Sequence, residues 1–138
     1  STLYGDMCGG LSVIGDVYKT DVYRLARYRN SISPVIPDST LNRAPSAELR
    51  PNQKDQDSLP AYSVLDQILY QYIERNQTRN QIAKVLRPKR VREKTIHQVI
   101  RTVDHNEYKR RQLAPSLRIT QKAWFGRRMP ITNRYRNI

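Results

Sequence analysis

The chain has 138 residues, of which 38% are hydrophobic and 27% charged, and it carries a formal net charge of +13. This length favours a single domain, and the sequence has neither an apolar run of about 18 residues nor a charged leader, so we expect a cytoplasmic protein without a membrane span. The single cysteine, Cys8, excludes an internal disulfide and indicates neither a metal site nor a thiol enzyme.

The excess of positive charge lies entirely in the second half of the chain. Residues 1–75 carry 8 Lys or Arg and 9 Asp or Glu, net −1, whereas residues 76–138 carry 17 and 3, net +14. Such asymmetry is typical of chains that meet a nucleic acid, a nucleotide or an acidic protein surface. A solvated basic face, or one complemented by a segment outside this chain, explains the same charges.

The first predicted helix spans residues 17 to about 28 and ends near Asn30, because apolar and basic residues alternate there with roughly helical spacing. Asp16, directly after Gly15, is its predicted N-cap. Residues 31–61 follow and contain five prolines, each of which removes an amide donor and disfavours helix in the preceding residue. We therefore predict a loop of about thirty residues, and loops of that length are usually functional or disordered.

A second predicted helix begins at a cap, Ser63, and its apolar face should be buried. That face comprises Val64, Leu65, Ile68, Leu69, Tyr72 and Ile73. Thr78 is the predicted cap of a short third helix, whose apolar residues are Ile82, Val85 and Leu86.

A fourth predicted helix begins near Val91 and continues to about Arg111. Its apolar stripe comprises Ile96, Val99, Ile100 and Val103. After Pro115, residues 116–138 are expected to be extended and basic.

Two positions in the first half suit phosphate binding. Lys19 lies near the start of the first helix after a glycine-containing turn, where helix amides and an ammonium group both attract anions. Ser46 and Glu48 lie in the proline-rich loop, where a hydroxyl and a carboxylate can reach Mg²⁺ or a phosphate-bound water. A solvated helix face for Lys19 and a turn motif for Ser46 and Glu48 explain the same residues.

Lys109, Arg110 and Arg111 form a basic triplet on the fourth helix. Successive helical residues point about 100° apart, so at most one or two of the three can face one pocket and the others lie on a solvated face. His97 and His105 lack the neighbouring ligands that a zinc site needs, so zinc is not expected.

Binding to nucleic acid is an alternative function. Residues 78–103 have the layout of a helix-turn-helix, and the would-be recognition helix carries Arg92, Lys94, His97, Gln98 and Arg101. The basic second half agrees with this interpretation. However, the turn lacks the usual glycine and the proline-rich loop would have no task, so we do not expect a nucleic-acid partner.

Five phrases follow one another along nearly the whole chain: YGDMCGGL at 4–11, GDVYKT at 15–20, PSAELRP at 45–51, DSLP at 57–60 and EYKRRQ at 107–112. In this order they resemble the C-terminal part of the synthetase domain of glutamine-dependent NAD synthetase. The ending FGRRMPI at 125–131 is more similar to the glutamine-dependent branch of that family than to the shorter ammonia-dependent branch.

The resemblance implies a fragment that is mainly α by itself and forms the C-terminal portion of a Rossmann-like α/β ATP-pyrophosphatase domain, of the adenine nucleotide alpha hydrolase-like kind. It implies an ATP-dependent ligase that adenylates deamido-NAD and amidates it to NAD with ammonia from glutamine, releasing AMP and pyrophosphate. Residues 1–30 would form a substrate-pocket segment and helix, 31–61 an active-site loop, 62–112 a helical region and 113–138 a basic C-terminal tail.

The resemblance also implies roles for single residues. Lys19 matches the family lysine on the ATP phosphates, and Ser46 matches the hydroxyl residue near ATP and Mg²⁺. Lys109 matches a lysine that contacts deamido-NAD. The remaining two roles are catalysis at the nicotinate and ammonia pocket, implied for Asp6, and deamido-NAD contact, implied for Thr2 and Leu3.

Several parts of the family site do not occur in these 138 residues. They are the Ser-Gly-Gly-x-Asp-Ser pyrophosphate loop, the Asn-Lys-Ser-Glu motif and the glutaminase domain. Gly10 stands where ammonia-dependent enzymes use an aspartate for deamido-NAD, so that role is not carried over. We expect the missing glutaminase and synthetase segments as partners, a homo-oligomeric parent and no activity of the fragment alone.

Overall fold

The computed structural model describes residues 10–47, 49–122, 126–127 and 129–132. The chain divides into two compact units, one formed by Tyr18–Asp66 and the other by Ser1–Val17 together with Gln67–Ile138. The described residues are mainly helical, as predicted, and their β-structure is an isolated parallel bridge between Ser12 and Ser116. No helix within these residues has the length and apolar character that crossing a bilayer requires.

In the Tyr18–Asp66 unit, helix α1 spans Lys19–Ile32 and helix α2 spans Asp38–Asn42. A 3₁₀ turn follows at Asp55–Asp57. Helix α3 spans Tyr62–Leu69, and its residues up to Asp66 belong to this unit. The predicted loop over 31–61 is therefore partly helical. Pro37 directly precedes α2, a place where its fixed φ and missing amide donor are tolerated.

The turn after α1 is shaped by one side chain, Asn30. Its Oδ1 accepts hydrogen bonds from the amides of Val35 (3.1 Å) and Ile36 (2.9 Å), and its Nδ2 donates to the Ile36 carbonyl at 2.8 Å. α1 itself contains no buried residue. Local side chain–backbone bonds rather than a packed core therefore define this part of the unit.

The other unit has the larger apolar core. After the π-helical turn Tyr70–Glu74 come α4 (Arg79–Leu86), a 3₁₀ turn (Arg87–Lys89), α5 (Glu93–His105) and α6 (Glu107–Gln112). Helix α4 packs on α5 and on the π-helical turn. The residues at most 1% exposed in this core are Ile68, Tyr72, Ile73, Ile82, Leu86 and Ile96.

The structure confirms one of the two helix starts predicted at Thr78 and Ser63 and contradicts the other. Thr78 caps α4 as predicted, because its hydroxyl accepts a hydrogen bond from the Gln81 amide. The Thr78 amide in turn donates to the Gln81 side-chain oxygen. The prediction for Ser63 was wrong, since α3 begins one residue earlier at Tyr62. Of the apolar residues in this helix, Val85 is 45% exposed, because the short α4 buries only Ile82 and Leu86.

Asp16 does not cap the first helix. α1 begins at Lys19 with no side-chain cap from the preceding residue, while Asp16 is fully buried in the other unit. Its carboxylate accepts from the amides of Ile119 (2.7 Å) and Thr120 (2.6 Å), and from the Thr120 hydroxyl. A long-range bond to the C-terminal part of the chain thus replaces the predicted local cap.

Part of the predicted basic tail is anchored in the core. Arg127 lies with its guanidinium carbon 4.0 Å from the centre of the Tyr72 ring, and the Tyr72 hydroxyl donates to Asp104 at 2.7 Å. Burial raises the pKa of the Asp104 carboxyl, against the opposing influence of Tyr72 and Arg127. The same burial, with the bond to Asp104, raises the pKa of the Tyr72 hydroxyl, so it remains a donor.

Candidate functional site

A cavity of about 240 Å³ opens in the Tyr18–Asp66 unit. Two of its lining residues, Lys19 and Tyr23, stand one turn apart on α1, and Thr40 comes from α2. The chain after α2 contributes the rest of the wall, namely Arg43, Ala44, Pro45, Ser46 and Asp55. Lys19 and Ser46, singled out separately from the sequence, therefore line one cavity.

The Lys19 ammonium is flanked by two aromatic rings. It lies 6.0 Å from the centre of the Tyr23 ring and 5.8 Å from the centre of the Tyr62 ring, distances at which a cation is attracted to a ring face. None of the described carboxylates forms an ion pair with this ammonium. Its positive charge therefore remains available to an anion in the cavity.

The start of α1 is bound by a carboxylate from the same unit. Oδ2 of Asp66, a side chain that is 8% exposed, accepts a hydrogen bond of 2.8 Å from the Thr20 amide. The sequence predicted that helix amides and Lys19 would attract phosphate together. The Thr20 amide is not available for this role, because it already donates to Asp66.

Asp55 supplies a carboxylate to the cavity wall. Its amide donates to the Pro45 carbonyl at 2.9 Å, which places it beside the neighbouring Ser46. The Tyr62 hydroxyl donates a hydrogen bond to Oδ2 of Asp55. Burial, followed by this bond, raises the pKa of the Tyr62 hydroxyl, so it stays protonated at physiological pH.

A second, wider cavity of about 790 Å³ shares three wall residues with the first: Arg43, Ala44 and Ser46. It adds the cations Arg50 and Lys54. Arg50 approaches Asp57 at 3.7 Å, but both side chains are largely solvated, so this pair holds the arginine weakly. The two adjoining cavities together present an excess of positive charge.

The three residues of the basic triplet differ in their contacts, as the helical geometry predicts. Arg110 donates to the Glu107 carboxylate through Nε at 2.9 Å, and Arg111 bonds the Met129 carbonyl at 2.8 Å. Lys109, on the same short helix α6, is exposed. Arg110 and Arg111 therefore bond within the fold, although Arg111 is still 45% exposed, and Lys109 is exposed.

Glu107 is the anchor of α6. Its side chain is 4% exposed and also accepts from the Met129 amide at 3.4 Å. Burial alone would raise the pKa of the Glu107 carboxyl, but the bonds and charge of Arg110, assisted by Met129 and Arg111, hold it below its usual range. Glu107 is therefore a charged, buried acceptor.

Not every sequence-derived site residue can be placed. Thr2, Leu3 and Asp6 lie outside the described residues, as does Glu48. Of the cavity residues that the sequence did not reveal, Tyr23 follows Lys19 by four positions, so helical spacing alone could have suggested it. Asp55 gave no such signal, because its contact with Tyr62, which does not line the cavity, depends on the path of the irregular chain between them.

The structure contains the two helices that the helix-turn-helix alternative requires. α4 and α5 pack together around the short turn, and exposed residues on α5 and just before it include Arg92, Lys94, His97, Gln98 and Arg101. The connecting turn carries Arg90 at φ 56°, a left-handed conformation that glycine would adopt more readily.

Comparison with known proteins gives a consistent result. The model of the NAD synthase family matches residues 1–113. The glutamine-dependent NAD(+) synthetase of Acinetobacter baylyi is 57% identical over 138 residues, covering 98% of this chain and 25% of the relative. The corresponding synthetase of Aquifex aeolicus is 53% identical over 137 residues, covering 98% and 23%.

One solved structure is similar along the full chain. It is the glutamine-dependent NAD+ synthetase of Acinetobacter baumannii in complex with ADP, with 46% identity and a TM-score of 0.52. The match covers 100% of this chain and 23% of that protein. The chain thus spans about a quarter of the length of the relatives that it matches.

Proposed function

Because the chain belongs to the NAD synthase family, we propose that it forms the C-terminal part of the synthetase domain of a glutamine-dependent NAD synthetase. One observation supports the proposed ATP site above all: Lys19 and Ser46, distant in sequence, line the same cavity. The helix-turn-helix alternative is not carried forward, since the family match runs through residues 78–103.

The proposed reaction joins ammonia to the nicotinate carboxylate of deamido-NAD. A carboxylate oxygen attacks the α-phosphorus of ATP and displaces pyrophosphate, which gives an acyl adenylate. Ammonia then attacks the carbonyl carbon, the bond between that carbon and the AMP oxygen breaks, and AMP and a proton are released. The negative charge on the phosphates must be balanced throughout. Lys19 and Arg43 are the cations of the cavity that we assign to this task.

Oxygen ligands for Mg²⁺ are present on the same wall. The Ser46 hydroxyl and the Asp55 carboxylate fit an ion that prefers oxygen and that commonly binds one or two carboxylates together with substrate phosphates. When bound, Mg²⁺ would neutralise phosphate charge. Ser46 and Asp55 would hold it, with Tyr62 orienting the Asp55 carboxylate.

Deamido-NAD is assigned to Lys109. Its exposed ammonium can make a charge-assisted hydrogen bond to the substrate, while Arg110 and Arg111 keep α6 in place. Asp6 is proposed for catalysis at the nicotinate pocket, and Thr2 and Leu3 for substrate contact. These three assignments rest on the family motif alone.

The rest of the parent protein is proposed from the same family membership. The chain would complete a Rossmann-like α/β ATP-pyrophosphatase domain whose parallel sheet lies upstream, with 1–30, 31–61, 62–112 and 113–138 in the roles given above. Glutamine-derived ammonia would come from a separate glutaminase domain. A homo-oligomeric state and a cytoplasmic location stay predictions.

The test is an assay of the full-length protein with deamido-NAD, ATP, Mg²⁺ and either glutamine or ammonium. We expect NAD, AMP and pyrophosphate in equal amounts. The separate 138-residue chain should form no NAD, because the Ser-Gly-Gly-x-Asp-Ser pyrophosphate loop is not in it. Absence of NAD formation by the full-length protein would overturn the proposal, and turnover by the chain alone would show that the nucleotide site is misplaced.

A further inference from the structure

Helix α3 directs two side chains at the first turn of α1. Tyr62 and Asp66 are four residues apart and so share one face of α3. The Tyr62 ring centre lies 5.8 Å from the Lys19 ammonium, and Asp66 accepts from the Thr20 amide at 2.8 Å. One helix face thus contacts both the backbone amide of Thr20, which follows Lys19, and the ammonium group of Lys19 itself.

Tyr62 is not part of the cavity wall, yet it contacts two residues that are. Its ring faces Lys19 and its hydroxyl donates to Asp55. The hydrogen bond from this neutral hydroxyl stabilises one carboxylate oxygen of Asp55 without a cation from the protein. Lys19 correspondingly forms no ion pair with any described carboxylate, and its charge is not neutralised within the site.

A lysine side chain without such contacts would sample many rotamers. Ordering it on ligand binding costs conformational entropy, and holding it in place beforehand removes part of that cost. The rings of Tyr23 and Tyr62 provide this restraint without cancelling the charge. Tyr23 belongs to the wall and can contact a ligand directly, whereas Tyr62 acts only through other residues.

We propose that Tyr62 is a positioning residue for ATP binding, which holds the Lys19 ammonium with its ring and the Asp55 carboxylate with its hydroxyl. This inference rests on the proposed function of Lys19. It adds a residue that neither the sequence motif nor the cavity lining identifies. Its consequence is that Tyr62 controls ATP affinity through Lys19 rather than by touching ATP.

The experiment uses two variants of the full-length protein, Tyr62→Leu and Tyr62→Phe. Tyr62→Leu removes both contacts and should raise the KM for ATP about tenfold, the effect expected from a partly desolvated cation–π contact. Tyr62→Phe keeps the ring and should raise it only about threefold. The KM for deamido-NAD should stay within about twofold in both, a split that general damage to the fold would not produce.

A matched control is Tyr28→Leu, which removes an exposed tyrosine from α1 that does not line the cavity. Its KM for ATP should not change. In a Lys19→Met background, Tyr62→Leu should add little to the KM for ATP, because the group it positions is gone.

Three outcomes would contradict the inference. If Tyr62→Leu leaves the KM for ATP unchanged while Lys19→Met raises it, the positioning role is wrong and the proposed function stands. If Tyr62→Phe and Tyr62→Leu lose the same affinity, the ring does not position Lys19. If Lys19→Met itself has no effect on ATP, the assignment of the cavity to ATP fails and the inference fails with it.

Discussion

Gly15 sits where two distant parts of the chain meet at close range. A Cβ added there would lie 2.7 Å from Ser12 Oγ and 3.0 Å from Ser116 Cβ. The Ser12 amide bonds the Pro115 carbonyl at 2.8 Å, which holds the two segments together beside Gly15. The absence of a side chain at Gly15 is therefore a packing requirement of this contact.

Gly15→Ala should lower the free energy of unfolding of the 138-residue chain by about 1–3 kcal/mol, because the segments around residues 12 and 116 must separate. Urea denaturation followed by circular dichroism measures it. Gly10→Ala is the matched control, since its added Cβ meets nothing within 4 Å, and it should change stability by at most about 0.5 kcal/mol. Equal effects of the two substitutions would contradict the close approach at Gly15.

Single residues show where sequence reasoning succeeds. The cap at Thr78 was predictable because its partner, Gln81, lies three positions away in a known pattern. The prediction of Asp16 as an N-cap was wrong. Its partners Ile119 and Thr120 lie more than 100 positions away, and no local pattern reveals them. Asp66 was missed for the same reason, although its bond to Thr20 decides how α1 begins.

At the scale of elements, α6 is a six-residue helix held by electrostatics. Its sequence Glu107–Gln112 contains a buried carboxylate followed by two arginines that turn back to it. Arg110 is 15% exposed and would lose the counter-charge of Glu107 if that carboxylate were removed. Breaking a pair of this kind costs more than forming it contributes.

Glu107→Gln should therefore destabilise the chain by about 3 kcal/mol at pH 7. Because the folded-state pKa of Glu107 lies below its ordinary value of 4.5, the carboxylate stabilises the fold above that pH, and this contribution is lost as the pH falls through the folded-state pKa. Urea denaturation from pH 7 to pH 3 should thus show the two proteins converging in acid.

The control for this measurement is Glu93→Gln, which neutralises an exposed carboxylate in the first turn of α5. It should cost about 0.5 kcal/mol or less. A difference between Glu107→Gln and the unmodified chain that stays constant from pH 7 to pH 3 would refute the role of the ionised carboxylate.

Element boundaries were also predicted poorly where contacts distant in sequence determine them. The fourth predicted helix is in reality two, because Asn106 leaves helical geometry (φ −97°, ψ 12°) between α5 and α6. The proline-rich stretch was predicted as loop, yet α2 forms within it directly after Pro37. Periodicity identified the long amphipathic helices, whereas short helices and breaks depend on tertiary contacts that periodicity does not contain.

For the whole molecule, the net charge alone gave an incomplete account of the basic half. Arg110 and Arg111 are engaged by Glu107, and Arg127 lies 4.0 Å from Asp104 and over the Tyr72 ring. Part of the positive charge is therefore structural. The family motifs carried the functional prediction, because they group residues such as Lys19 and Ser46 that charge and periodicity do not connect.

The central claim is that Lys19 serves ATP whereas Lys109 serves deamido-NAD, and one steady-state comparison of Lys19→Met with Lys109→Met in the full-length protein tests it. Each change removes the charge and keeps much of the apolar stem. Lys19→Met should raise the KM for ATP about tenfold or more with little change for deamido-NAD, and Lys109→Met should do the reverse. Variants that fold normally but show the same shift for both substrates, or none, would contradict the account.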